Sequence, residues 1–286
     1  MSTERWTIMR LLTWTEDFFR QKGLETPRLE AQILLAYVMK CDRIHLYTRT
    51  EEEPDEATRT GFRELIRKRA EGMPVAYLVG YREFYSQRFE VTPAVLIPRP
   101  ETELLVLKGL DLIAKLPHPK VLDVGTGSGC IAITVARQAK TAAVTAIDRS
   151  KSALDVAVRN AQRLEAADRI RFLEGDLFGP LKAGESFDLI LSNPPYVSKD
   201  EYAVLDKSVR DFEPREALLA GADGLDVHRR LIPGAIPFLD AGGLLAVEIG
   251  SAQQLPVEEL FRRDFDEVKT TFDDAKLARI VQGRRR

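Results

Sequence analysis

The stretch "KVLDVGTGSGCIAITVA", residues 120–136, decides the fold. A short apolar run of strand type ends at Gly125. Glycines follow at 127 and 129, and an apolar helical pattern begins. Strand, glycine turn and helix together open a parallel α/β unit. Glycine permits tight turning and leaves bare backbone for a ligand to lie against. N–H groups exposed at a helix start favour an anionic group. The competing reading is a glycine turn that only packs a helix onto a sheet. The spacing is Gly-x-Gly-x-Gly, not the Gly-x-Gly-x-x-Gly of dinucleotide enzymes, and position 130 is Cys. A Gly-Lys-Ser/Thr phosphate loop is absent, as is a Gly-x-Ser-x-Gly nucleophile elbow at this position.

Outward from this stretch the pattern alternates. A helix over about 101–116 precedes it, and "AAVTAID", a helix at 151–166, "RIRFLEGD" and "FDLILSN" follow. A helix near 224–239 leads to "GGLLAVEIG". Short, continuous apolar strands alternating with helices predict a parallel sheet covered on both faces. Two last strands, near 266–272 and 277–282, flank a short turn and read as an antiparallel pair. Asp148 closes the strand after the glycine loop, where a carboxylate can accept hydrogen bonds from a ribose. Asp176 closes the third strand. Three strand ends then line one crevice at the carboxyl edge, and the packing-only reading of the glycines weakens.

Upstream, residues 1–72 read as helices with no strand pattern. Thr26 is placed to cap a helix that has Pro27 in its first turn. Residues 73–100 carry aromatics, β-branched residues and prolines at 93, 98 and 100, which predict a hairpin near 82–91 and a stiff connector. The expected division is a helical domain over 1–74, a hairpin and linker over 75–98, and an α/β domain over 99–286.

Composition narrows the class. The chain has 286 residues, 44% hydrophobic and 30% charged, an ordinary globular balance. The formal net charge of −2 provides no global field toward nucleic acid or anionic lipid. Two distant cysteines, Cys41 and Cys130, make neither a disulfide framework nor a Cys-x-x-Cys zinc pattern, and no metal site is expected. The start "MSTERWTIMRLLTW" does not read as a signal peptide. No run approaches the roughly 20 apolar residues of a membrane span. These features predict a soluble, cytoplasmic protein of a reducing compartment.

The second chemical signal is "FDLILSNPPYVSKDEY", residues 187–202. A core strand stops at Asn193-Pro194-Pro195-Tyr196, where two prolines remove two backbone donors and fix two φ angles. This tetrapeptide sits at the same carboxyl edge as the glycine loop. Its chemistry suits a planar –NH2, whose lone pair is shared with an adjacent π-system and whose proton is hard to remove at neutral pH. Acceptors can instead grip the hydrogens, turn the lone pair toward an electrophilic carbon and stabilise developing positive charge. The Asn193 side-chain oxygen and the Pro194 carbonyl are two such acceptors. Tyr196 offers a flat wall. The plainer reading is a loop terminator, since prolines often end strands and asparagine often sits in turns; the glycine loop and Asp148 upstream weigh against it.

With these residues in view, the sequence from about 100 to 286 resembles the S-adenosylmethionine-dependent methyltransferases with a seven-stranded, mostly parallel, doubly wound sheet. The resemblance implies that Gly125, Thr126, Gly127, Ser128 and Gly129 approach the cofactor, that Asp148 holds its ribose, and that Asp176 and Leu177 flank its adenine. Asn193 would border the cofactor as well, and the product would be S-adenosylhomocysteine. The tetrapeptide is shared by adenine-N6, guanine-N2 and protein-glutamine enzymes.

"VLIPRPETE" (95–103), "GMPVAYLVGYREFYSQRFEV" (72–91) and "DFEPREALLAGADGLDVHRRLI" (211–232) extend the resemblance over nearly the whole chain. Together they resemble the peptide chain release factor glutamine methyltransferases. That resemblance implies methylation of the glutamine amide in the Gly-Gly-Gln loop of class I release factors, with Asn193, Pro194, Pro195 and Tyr196 on the substrate. It also implies a small all-helical N-terminal domain joined by a hairpin to the catalytic domain. Arg99, Glu101 and Glu103 are expected to shape the pocket and its lid.

The rival is a DNA or RNA amino-methyltransferase, which calls for a basic cleft or an added recognition domain. Direct nucleic-acid binding is not expected here. Arg59, Arg63 and Arg67 form a stripe on one helix, equally readable as a solvated face or a docking face. Glu64 and Lys68 read as a surface pair. "GRRR" at the end reads as a flexible basic tail.

Overall fold

The computed structural model describes residues 5–286, and the chain divides into two compact units. The first comprises the chain up to Gly80 together with Lys207–Phe212. Its helices are α1 (Ile8–Gln21), α2 (Pro27–Met39), α3 (Arg43–Thr48), α4 (Glu56–Ala70) and α5 (Val75–Val79). Apolar residues at helical spacing bury one stripe of each long helix, with Ile8, Leu12, Phe19, Leu34, Leu35 and Phe62 at its centre. The buried Arg69 of α4 donates to Glu30 of α2 at 2.7 and 3.1 Å. Asp55 caps α4 by accepting from the Thr58 N–H. Thr26 stands at the start of α2, but its hydroxyl makes no capping bond; Pro27 in the first turn defines that end instead. The arginine stripe is largely neutralised: Arg59 pairs with Glu53 and Glu56, and Arg67 with Glu64 and Glu71. Glu64 thus takes Arg67 rather than the expected Lys68.

The second unit, Tyr81–Asp206 with Glu213–Arg286, opens on a hairpin of β1 (Tyr81–Phe84) and β2 (Gln87–Glu90). Then α6 (Pro100–Ile113), β3 (Lys120–Val124), α7 (Cys130–Gln138), β4 (Ala143–Asp148), α8 (Lys151–Arg163), β5 (Ile170–Glu174) and β6 (Phe187–Ser192) follow. Beyond α9 (Lys199–Val204), the short α10 (Lys207–Arg210) belongs to the first unit. The remaining elements are α11 (Asp226–Ala235), β7 (Leu239–Glu248), α12 (Gln254–Arg262), β8 (Phe265–Phe272) and β9 (Ala278–Arg285). The seven strands order as β5-β4-β3-β6-β7-β9-β8, parallel except for β9, which runs antiparallel to both neighbours.

Period-two alternation divides the strand residues between two cores. Val121, Leu189, Leu191, Leu244 and Ala246 face the layer that contains Leu105 of α6 and Val135 of α7. Leu122, Ile190, Leu245 and Val247 face the layer of α11 and α12. The central strands are therefore buried on both sides, which is why they read as continuous apolar runs.

The final residues are not a free tail. Gly283 and Arg284 are paired with Leu245 and Leu244 in the sheet, and Arg286 donates to Asp266 at 2.9 Å. Their basic composition hid a strand whose inward residues, Ile280 and Val281, lie just upstream.

Candidate active site

Strand register brings the two sequence motifs together. Val124 of β3 is paired with Ile147 of β4 and with Ser192 of β6. The Ser192 hydroxyl donates to the Val124 carbonyl at 2.7 Å, so the glycine loop and Asn193 leave adjacent, bonded strand ends. From β5 to β6 the carboxyl edge presents Asp176, Asp148, the glycine loop and Asn193 in a row. Three strand spacings set its length at about 14 Å.

At the glycine loop, Gly125 has φ of 77° and Gly127 of 55°, both left-handed, and a side chain on either would meet nothing within 4 Å. Bare backbone therefore faces open space there. Gly129 is different: a side chain would meet Ile133 Cδ1 at 2.7 Å, so this glycine serves close packing. The anion-binding expectation narrows, because the N–H groups of Gly125, Thr126, Gly127 and Gly129 already donate within the chain. The loop offers open Cα surface more than free donors.

Beneath the loop, buried Asp123 accepts from the Thr126 hydroxyl at 2.6 Å and the Ala132 N–H at 3.1 Å, and burial pushes its carboxyl up to about 7. Its other oxygen and the Ser128 hydroxyl are buried without a hydrogen-bond partner. The thiol of Cys130, also buried, is pushed up to about 12, so it stays protonated and unreactive.

Asp148 stands between two cavities of about 400 and 460 Å³ and lines both. Its oxygens accept from the Gly127 N–H at 2.8 Å and the Ser150 N–H at 2.9 Å, and each keeps a second lone pair. Burial raises its carboxyl above the usual range, against the pull of those N–H groups. On one side, Ile147, Leu177, Val227 and Leu231 line an apolar slot, with Asp176 and Arg230 ion-paired at its edge. Pro194 borders this slot, and Leu177 holds a left-handed φ of 50° there. On the other side lie Asn193, Thr126, Gly127, Ser128, Arg99 and Thr102, and Pro195 borders both cavities.

The Asn193 amide is held at one end. Its Nδ2 donates to Thr102 Oγ1 at 3.0 Å, and the Thr102 hydroxyl donates to Glu248 Oε2 at 2.7 Å. Among the described residues, Asn193 Oδ1 and the Pro194 carbonyl accept no hydrogen bond. Tyr196 borders neither cavity. Its hydroxyl lies 3.3 Å from Glu248 Oε1, while Gln253 donates to its carbonyl at 2.9 Å. Burial and the Glu248 charge raise the Tyr196 phenol, so it remains a neutral donor.

Of the connector residues, Arg99 lines the cavity and donates to buried Glu213 at 2.6 Å, and Glu213 also accepts from the Ile97 N–H at 3.0 Å. Glu101 instead lies 3.8 Å from Arg279, and Glu103 accepts from the Tyr85 N–H of the hairpin at 2.8 Å. Neither borders the cavity, which Thr102 between them does. His228 is buried, bonded to the Glu248 carbonyl at 3.2 Å, and pushed down to about 4 by burial, so it is neutral near pH 7. Among the described residues no cluster of His, Cys, Asp or Glu could hold a metal, and no helix is long and apolar enough to cross a membrane.

Sequence reasoning missed Thr102 and Glu248. Strand alternation carried a signal for Glu248: it closes an apolar run on the same face as Leu244 and Ala246, where a carboxylate needs partners.

A family model described as the PrmC N-terminal domain matches residues 10–80, and one described as the Methyltransferase small domain matches residues 102–212. The chain is similar to the release factor glutamine methyltransferase of Rhodopirellula baltica, 51% identical over 248 residues that cover 85% of this chain and 84% of that one. It is similar to the release factor glutamine methyltransferase of Geobacter sulfurreducens at 41% identity over 283 residues, 98% of each chain. Among solved structures, the hMettl16 catalytic domain in complex with a MAT2A 3′UTR hairpin aligns with a TM-score of 0.57 at 16% identity, over 77% of this chain and 80% of that one. That likeness shows the fold alone.

Proposed function

The chain belongs to the release factor glutamine methyltransferase family, and from that premise we propose the following reaction. A methyl group passes from S-adenosylmethionine to the side-chain amide nitrogen of the glutamine in the Gly-Gly-Gln loop of a class I peptide chain release factor. The observation that carries this reading is Asn193, whose Nδ2 is tied to Thr102 while Oδ1 is left to accept from a substrate –NH2.

The residues present fit the cofactor. The open backbone of Gly125 and Gly127 leaves room for its methionine part, with Thr126 and Ser128 bordering that space and Gly129 packing the loop onto the helix behind it. The spare lone pairs of Asp148 suit a ribose diol. The slot of Ile147, Leu177, Val227 and Leu231 suits a flat adenine, with Asp176 at its edge. When bound, S-adenosylmethionine supplies an electrophilic sulfonium methyl and leaves as S-adenosylhomocysteine.

On the substrate side, Asn193 Oδ1 and the Pro194 carbonyl accept the two N–H bonds of the glutamine amide. They turn its lone pair out of conjugation and toward the methyl carbon. As the nitrogen bonds to that carbon it gains positive charge, which both acceptors stabilise without reorganising. The excess proton then leaves to water. No side chain is asked to remove it beforehand, and neutral, buried His228 is not placed to do so. Pro195 borders both cavities, and Tyr196 anchors the loop from beneath through Glu248 rather than forming the expected wall.

We assign the helical unit to holding the release factor away from the Gly-Gly-Gln loop, and the reaction to the cytoplasm. The test is transfer of labelled methyl onto a purified class I release factor. Label is expected on that factor and lost when its loop glutamine is changed to alanine. Equal or greater label on DNA or ribosomal RNA in parallel reactions favours the nucleic-acid alternative.

A further inference from the structure

Asn193 can serve as an acceptor only if its amide is turned the right way, and nothing in the amide itself decides this. Rotation by half a turn would place Nδ2 where Oδ1 stands and present donors to a substrate that is itself a donor. The orientation must therefore be imposed by its neighbour, Thr102. That neighbour is a hydroxyl, which donates one hydrogen bond and accepts others. It can satisfy either end of the amide, and it too needs a reference.

Glu248 supplies that reference. It ends β7 one register step beyond the Ser192–Val247 pair, so it lies beside Asn193 and on the same sheet face. Above both is the first turn of α6, where Pro100 and the Arg99 carbonyl set Thr102 in place. Glu248 is 1% exposed, and Thr102 2%. An ionised carboxylate only accepts. The 2.7 Å contact therefore takes the Thr102 hydrogen, and Thr102 Oγ1 must in turn accept from Asn193 Nδ2, at 3.0 Å. The second Glu248 oxygen receives the Tyr196 hydroxyl at 3.3 Å. One buried carboxylate thus holds Tyr196 directly and Asn193 through Thr102, the two ends of the Asn-Pro-Pro-Tyr segment.

We propose that Glu248 is a positioning residue that orders the direction of the hydrogen bonds through Thr102 and so turns Asn193 Oδ1 toward the substrate. The proposal rests on the reading in which Asn193 Oδ1 grips the glutamine amide. Glutamine at 248 keeps the shape but adds a donor. It allows Thr102 to accept from position 248 and donate to Asn193 Oδ1, which turns the amide over. Glu248 touches neither substrate nor cofactor in this account.

The experiment compares Glu248→Gln, Thr102→Val, Thr102→Ser, the Glu248→Gln/Thr102→Val double variant and Asn193→Ala in the full chain. Each is assayed on intact release factor with S-adenosylmethionine, and folding is checked by thermal melting. Glu248→Gln and Thr102→Val are each expected to lower kcat by about 10- to 100-fold, with both KM values within about twofold. Thr102→Ser keeps the hydroxyl and is expected to retain kcat within about threefold, which a purely packing role for the threonine would not predict. The double variant is expected to be no slower than either single variant, since both break one chain of bonds. Wild-type kcat in Glu248→Gln, or additive losses in the double variant, overturns the proposal. If that outcome accompanies a crippled Asn193→Ala, the Asn193 reading survives alone; a fully active Asn193→Ala removes both. Should Glu248→Gln fail to fold, the Thr102→Val and Thr102→Ser pair decides: equal activity of the two overturns the proposal.

Discussion

Ser192 Oγ lies 2.7 Å from the Val124 carbonyl and donates to it across neighbouring parallel strands. Both residues are buried at the last position of their strands, immediately before Asn193 and Gly125. The glycine loop and Asn193, the two halves of the proposed site, thus start from a single fixed point in the sheet.

Replacing Asn193 by alanine separates the two halves. Because Asn193 is assigned to the developing charge on the substrate, kcat is expected to fall by roughly 100-fold or more. Cofactor affinity, read by calorimetry, is expected to stay within about threefold. Weakened cofactor binding with unimpaired turnover would contradict the assignment.

Asp148→Ala is expected to do the reverse. Loss of a carboxylate that hydrogen-bonds a ribose should weaken cofactor binding by about 10- to 100-fold. The same carboxylate holds the Gly127 and Ser150 N–H groups, so the loop loses support along with the ligand. Calorimetric titration with S-adenosylhomocysteine decides, and an unchanged dissociation constant removes Asp148 from the site.

Much of this was legible in the sequence because it depends on local chain rules. Glycines at 125 and 127 announced a turn with bare backbone, and the apolar runs around "VLDV" and "DLILS" announced central parallel strands. The position of Asp148 and Asn193 at the carboxyl edge was readable because each stands at the end of such a run. Thr102 and Glu248 were not: their meaning comes from register between β6 and β7 and from α6 lying over that face, which no local pattern encodes. Glu103 looked like part of the pocket but serves the hairpin through the Tyr85 N–H. The basic end was misjudged because arginines on an edge-proximal strand resemble a tail until their sheet partners are known.

Turnover is expected to follow the charge on Glu248. Burial pushes the Glu248 carboxyl up to about 7, opposed by the Thr102 hydroxyl and reinforced by the Glu101 charge. Thr102 and Glu101 face it from α6, Tyr196 from the loop and Arg279 from β9. Only the ionised form orders the Thr102 hydroxyl, so kcat is expected to fall as pH drops through about 7 and to level off above it. In Glu248→Gln that limb should be missing from the residual activity. Burial pushes Asp123 up to about 7 as well, so the limb assigned to Glu248 is the difference between the two profiles. Superimposable profiles would refute the assignment.

The helical unit is assigned to the release factor rather than to chemistry. A chain that lacks the helical unit up to Gly80 is expected to lose at least about tenfold in kcat/KM on intact release factor, because a second binding contact is gone. On a short Gly-Gly-Gln peptide the two chains should perform alike. Equal kcat/KM on the intact factor argues against a recognition role.

Tandem mass spectrometry of a class I release factor, after incubation with this protein and S-adenosylmethionine, locates the transferred methyl group. A single added methyl on the side-chain nitrogen of the Gly-Gly-Gln glutamine, absent with Asn193→Ala, is the predicted spectrum. An unmodified glutamine, or a methyl at another residue, contradicts it.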